Sequence, residues 1–154
     1  MSTHSPTRIA TALSAEYRAR LTDIAREVGF PVGTRLFNEG GHADRFWIVR
    51  SGTVGLDVHV PGRQAAVIET LGSGELVGWS WLFPPYTWHF GAEATSPVRA
   101  HEFDAVAVRS MMEADPRFGS AMDHWVGQVL AHRLVAARVR LLDLYAPHGS
   151  GSSL

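Results

Sequence analysis

The chain has no lysine and no cysteine; all 14 of its basic residues are arginine, set against 15 acidic ones. Without lysine there is no ammonium for a nucleotide phosphate loop, no Schiff base and no lysine general base. Without cysteine there is no thiolate nucleophile, disulfide, cysteine-held iron–sulfur cluster or cysteine zinc site. No apolar run approaches the roughly 20 residues of a membrane span, which excludes a membrane helix. The N-terminus, MSTHSPTRIA, has no apolar core of a secretory signal, so the cytoplasm is the expected compartment. A net charge of −1 argues against a surface that binds nucleic acid indiscriminately.

What is present is globular. Hydrophobic residues make up 45% and charged residues 19% of the 154 positions, enough for one domain with a real core. Residues 1–13 are polar and read as a flexible N-terminus. Tyr17, Leu21, Ile24 and Val28 are spaced for one helical face, with Ser14 as N-cap and Gly29 just past the end. From about 30 to 103 the period becomes two, interrupted by turns at Ser51-Gly52, Pro61-Gly62, Gly72-Ser73-Gly74 and Ser96-Pro97. Such spacing suggests an antiparallel sandwich or barrel.

After Asp104 the helical period returns. Asp104 caps a short helix through about Ala114. Asp115-Pro116 then opens a long helix to about Tyr145, before a flexible tail over 146–154. Thirty residues span roughly 45 Å. Phe118, Met122, Trp125 and Val129 form one apolar stripe. Leu130, Leu134, Ala137, Leu141 and Leu144 form a second, spaced as in paired helices, which predicts a homodimer. Arg133, Arg138 and Arg140 read as the solvated face of this helix.

The segments Gly33-Thr34-Arg35-Leu36-Phe37-Asn38-Glu39-Gly40 and Phe46-Trp47-Ile48-Val49-Arg50-Ser51-Gly52-Thr53-Val54 resemble the entry strands of the cyclic-nucleotide-binding domain of the catabolite-activator/FNR superfamily. The resemblance covers about residues 14–145. It implies a mainly β fold, a double-stranded β-helix (jelly-roll) barrel with an N-terminal helix and a long C-terminal dimerisation helix. It also implies a regulatory sensor rather than an enzyme.

In that family a cassette of Gly-Glu-Leu/Ala, a short helix and Pro-Arg-Ser/Thr-Ala holds the ligand. Backbone N–H groups and the Arg bind the cyclic phosphate, and the Glu accepts from the ribose hydroxyl. Here the family's Gly matches Gly78, its Glu falls on Trp79, its Arg on or near Trp88 and its Ser/Thr on His89. Glu75 lies three residues too early, and no Arg stands between Arg63 and Arg99. The loss of both charged ligands disfavours cyclic AMP or GMP as cofactor by several orders of magnitude in affinity.

The cassette is instead aromatic. Gly78, Trp79, Ser80, Trp81, Trp88, His89 and Phe90 are the candidate pocket residues. Two readings stay open: an apolar or planar-ligand pocket of altered specificity, or a barrel plugged by its own rings. His89 reads either as an anion donor or as a packed core histidine.

Catalytic patterns are missing. His124 and His132 are not spaced as a helical zinc pair, and no Ser sits in a Gly-x-Ser-x-Gly elbow. No metal site and no catalytic residue are expected. The winged helix that follows this domain in the family is not in the sequence, so autonomous DNA binding is not expected. Output then passes through a partner protein; the alternative is a scaffold with no small ligand.

Overall fold

The computed structural model describes residues 7–145, and side chains through 143. The expected flexible segments at 1–6 and 146–154, and the side chain of Leu144, lie outside the described residues. Two short helices, α1 (Ile9–Ala12) and α2 (Ala15–Ile24), precede eight strands. These are β1 (Arg26–Phe30), β2 (Arg35–Phe37), β3 (Arg45–Ser51), β4 (Val54–Val58), β5 (Ala66–Leu71), β6 (Leu76–Val77), β7 (Gly91–Ala94) and β8 (Val98–Asp104). A 3-10 turn (Ser80–Leu82) lies between β6 and β7, and helices α3 (Ala105–Ala114) and α4 (Pro116–Tyr145) end the fold. The strands form two four-stranded antiparallel sheets, ordered β1-β8-β3-β6 and β2-β7-β4-β5. This is the expected mainly β architecture with flanking helices.

The run Phe46–Val49 is apolar without alternation because β3 is buried on both faces. Trp47 points into the barrel, stacked on Phe37 with centroids 5.7 Å apart. Phe46 points the other way, against Trp81 at 4.2 Å and Phe103 at 4.8 Å. Phe118, Met122, Trp125, Val126 and Val129 of α4 are all fully buried. The first apolar stripe thus packs on its own domain.

Both capping aspartates act as the sequence suggests. Asp104 accepts from the N–H of Val106, and Asp115 from those of Arg117 and Phe118. Arg20 also donates to Asp115 at 2.7 Å. A second polar lock was not foreseen. Arg35 donates to both carboxylate oxygens of the buried Asp57, at 2.6 and 3.1 Å. It ties β2 to β4 across β7. A Cβ at Gly91 would press on the ends of both side chains, so a larger residue there would have to displace the pair.

Three expectations at the N-terminal side need correction. Residues 7–13 are not a flexible tail. Thr7 and Leu13 are 4% and 3% exposed, and Trp125 donates from its indole nitrogen to the Thr7 carbonyl at 2.8 Å. The first long helix stops at Ile24 rather than continuing to Val28. Ser14 does cap it, accepting from Tyr17, but Ala25 turns to extended backbone. Residues 26–30 then pair with β8, so the barrel begins at Arg26 and Gly29 caps nothing. The strand β8 offers an unpaired edge there, and satisfying its hydrogen bonds outweighs one further helical turn.

Among the described residues, no helix is long and apolar enough to cross a membrane.

Candidate functional site

The aligned cassette folds over one end of the barrel. Gly78 follows the short strand β6 with φ +97°, a backbone that favours glycine. A Cβ there would stand 2.7 Å from the Trp88 six-membered ring. Trp88 lies flat against Phe37, with centroids 3.8 Å apart and planes 12° apart, and beyond them Trp47 continues the stack. Trp88 is 5% exposed. The space left among Phe37, Leu56, Gly78, Ser80, Trp88 and Arg133 is a cavity of about 10 Å³. That is about one water molecule. A nucleotide does not fit into it.

The other candidate residues separate into distinct environments. Trp79 stays at the rim, half-buried, stacked on His89 at 4.8 Å and edge-on to Phe90 at 6.4 Å. It therefore borders the barrel mouth, while Trp88 is the ring that fills it. His89 is exposed, so the packed-core reading of it is wrong; Nδ1 lies 3.1 Å from the buried Ser80 hydroxyl. Trp81 does not face the pocket. It is fully buried on the helical side, against Phe46, and donates to the Gly78 carbonyl at 3.0 Å. Glu75 also turns away, to the Thr7 hydroxyl at 2.9 Å and Arg8 at 3.6 Å.

No charged ligand comes from the cassette itself, but one arrives from α4. Arg133 is 2% exposed, which overturns its placement on the solvated face. One terminal nitrogen, Nη2, donates to the Leu76 carbonyl of β6. Nε stands 3.8 Å from Glu69, whose other oxygen faces His132 at 2.9 Å. Burial pushes the Arg133 guanidinium down to about 10, against the opposing pull of Glu69 and Glu75. Its Nη1 has no hydrogen-bond partner. The sequence carried one signal for this residue: it lies four positions after Val129, in line with the buried stripe. Arg138 and Arg140 are exposed, as expected of the solvated face, and Arg140 donates to the Val67 carbonyl at 3.1 Å.

A second cavity, of about 300 Å³, lies outside the barrel between the cassette and α4. Trp79, Phe90, Leu130, Ala131 and Leu134 surround it, and Arg133 lines it as well as the barrel remnant. Of the second helix stripe, Leu134 is 70% exposed, while Leu130, Ala137 and Leu141 are half-buried. Val135, Val139 and Leu142 form a further exposed apolar row that the heptad spacing did not single out.

Residues 27–115 match the cyclic nucleotide-binding domain family. A CRP-like cAMP-activated global transcriptional regulator of Mycobacterium tuberculosis is 30% identical over 126 residues, covering 82% of this chain and 54% of that protein. The chain thus spans about half the length of this curated relative. Among solved structures, the N-terminal domain of a transcriptional regulator from Streptomyces coelicolor superposes with a TM-score of 0.67 at 26% identity, over 82% of this chain and 89% of that one. The catabolite activator protein of Thermus thermophilus superposes with a TM-score of 0.71 at 24% identity, over 91% and 63% respectively, a likeness of fold. The strand order, the cassette position and the matched segment agree: the chain belongs to the cyclic nucleotide-binding domain family.

Proposed function

We propose that this chain is a dimeric, non-enzymatic regulatory module whose cyclic-nucleotide cavity has been filled by its own side chains. One observation carries the reading: Trp88 stacks on Phe37 directly over Gly78. That is where the family resemblance puts the nucleotide phosphate. The cassette carboxylate and Arg that would hold a ribose and a phosphate are replaced by Trp79 and Trp88. The mycobacterial relative is cAMP-activated; on this reading the present chain does not share that response. Its ligand specificity is altered or lost.

The dimer in this reading uses Leu130, Leu134, Ala137, Leu141 and Leu144. The exposure of Leu134 at 70% supports it, since an isolated leucine side chain on a helix gains little from water. Output passes along α4 to a partner protein in the cytoplasm. The alternative, a scaffold with no small ligand at all, draws on the same closed barrel.

Titration calorimetry with cyclic AMP and cyclic GMP tests the reading. The expected result is no binding tighter than about 100 μM. Sub-micromolar binding of either overturns the closed-barrel account.

A further inference from the structure

A cavity of about 330 Å³ lies between helices α1 and α2 and the strands β3 and β8. Ile9 and Leu21 reach it from the helices, Ile48 and Phe103 from the strands, and Ser73 from the turn before β6. Leu21, Ile48 and Phe103 are 1%, 4% and 1% exposed, so the floor is packed and apolar. Arg18 of α2, Arg50 of β3 and His101 of β8 line the same space. None of the lining residues belongs to α4, so the cavity lies outside the proposed dimer face.

The charges around this cavity do not balance. Arg18 donates from Nη1 to the carbonyls of Ala10 and Leu13, at 3.1 and 2.8 Å, which holds the guanidinium in place without a counter-charge. Among the described residues it forms no ion pair. Arg50 and Arg99 share the one carboxylate of Glu27, at 3.2 and 3.6 Å. His101 is half-buried and edge-on to Phe103, and it has no hydrogen-bond partner among the described residues. Burial, followed by Arg50, holds its imidazole below the ordinary histidine value, against the pull of Glu27. A concave site with an excess of one sign over an apolar floor concentrates the opposite charge.

We propose that this cavity binds a small phosphate monoester, with the phosphate among Arg18, Arg50 and His101 and the carbon body over Leu21, Ile48 and Phe103. Phosphate suits the site better than carboxylate because the three groups come from a helix and two strands. A tetrahedral dianion presents oxygens in several directions, whereas a planar carboxylate is satisfied by one guanidinium fork. The volume suits a body of one ring or a short chain. The inference is independent of whether the barrel is closed.

The test uses the full chain with phenyl phosphate, inorganic phosphate, benzoate and phenol, read by calorimetry. Phenyl phosphate should bind with a Kd below about 1 mM. Each of the other three should bind more weakly by about fivefold or more. Arg50→Gln, at a side chain 48% exposed, should weaken phenyl phosphate by about fivefold or more. Ser73→Glu adds a carboxylate at the rim from an exposed turn and should abolish binding without lowering Tm. In NMR titrations the His101 ring should take up its proton at higher pH with phenyl phosphate bound, since a neighbouring dianion favours imidazolium. The charged groups on the elements around that ring are Glu27 of β1, Arg50 of β3, Arg99 of β8 and Arg18 of α2.

Absence of phenyl phosphate binding overturns the proposal, as does binding no tighter than that of phenol or benzoate. Binding indifferent to Arg50→Gln and Ser73→Glu places the phosphate elsewhere and overturns it too. So does a His101 titration that phenyl phosphate does not move. None of these outcomes bears on the closed-barrel reading, which cyclic AMP and cyclic GMP test separately.

Discussion

Gly78 and Trp88 are in direct opposition: the indole ring lies 2.7 Å from the point where any Cβ on residue 78 would stand. The φ of +97° at Gly78 adds a second reason for glycine. Gly78→Ala should therefore cost about 3 kcal/mol, from backbone strain plus overpacking against a buried ring. Denaturant unfolding of the two proteins checks it. Trp88→Ala should cost a similar amount, about 3–5 kcal/mol, for the opposite reason, a cavity left beside Phe37.

The Arg35–Asp57 pair makes a prediction about coupling. Arg35→Ala leaves Asp57, 6% exposed, without its bidentate partner and should cost about 2 kcal/mol. Asp57→Ala should cost a similar amount, and the double variant clearly less than the two together. Additive losses in urea titrations would show that the two side chains do not act as a unit.

Asp115 gives a pH dependence. The Arg20 hydrogen bond, followed by the N–H groups of Phe118 and Arg117, holds its carboxyl below the usual carboxylate value. The folded protein therefore binds that proton less readily than the unfolded chain. The stabilisation is complete above the ordinary carboxylate pKa of about 4 and is lost as pH falls through the lower folded value. Asp115→Asn keeps a capping side chain but not the charge. Its stability should fall below that of the unaltered protein at pH 7, and the gap should shrink by pH 3.

The proposed dimer face is tested by Leu134→Glu with Leu141→Glu. Sedimentation equilibrium should show a monomer where the unaltered chain is a dimer. An unchanged dimer would refute the assigned stripe. It would direct attention to Val135, Val139 and Leu142, exposed at 62%, 55% and 57%.

Much of this fold was legible in the sequence because the local signals agree with the tertiary outcome. The Asp104 and Asp115 caps, the bounds of α4 and the period-two strands β4 and β8 all follow from neighbouring residues. The strand β1 was not legible. Tyr17, Leu21, Ile24 and Val28 continue a helical spacing by coincidence, although Ile24 is 43% exposed and only sheet pairing with β8 reveals the break. At the site, the absence of the cassette Glu and Arg could be read from alignment with the family motif. Which ring fills the vacated volume could not, since Trp79, Trp81 and Trp88 have the same chemistry and differ only in tertiary direction. Arg133 escaped for a related reason. Grouped with Arg138 and Arg140 it looks solvated, and only its phase with Val129 places it under the cassette.

The measurement that bears most directly on the central claim is electron density in the barrel of crystals grown with excess cyclic AMP. The account predicts the Trp88 indole stacked on Phe37 above Gly78, with no nucleotide inside the barrel. Density for a cyclic phosphate at Gly78–Ser80, with the Trp88 ring swung out, would contradict it.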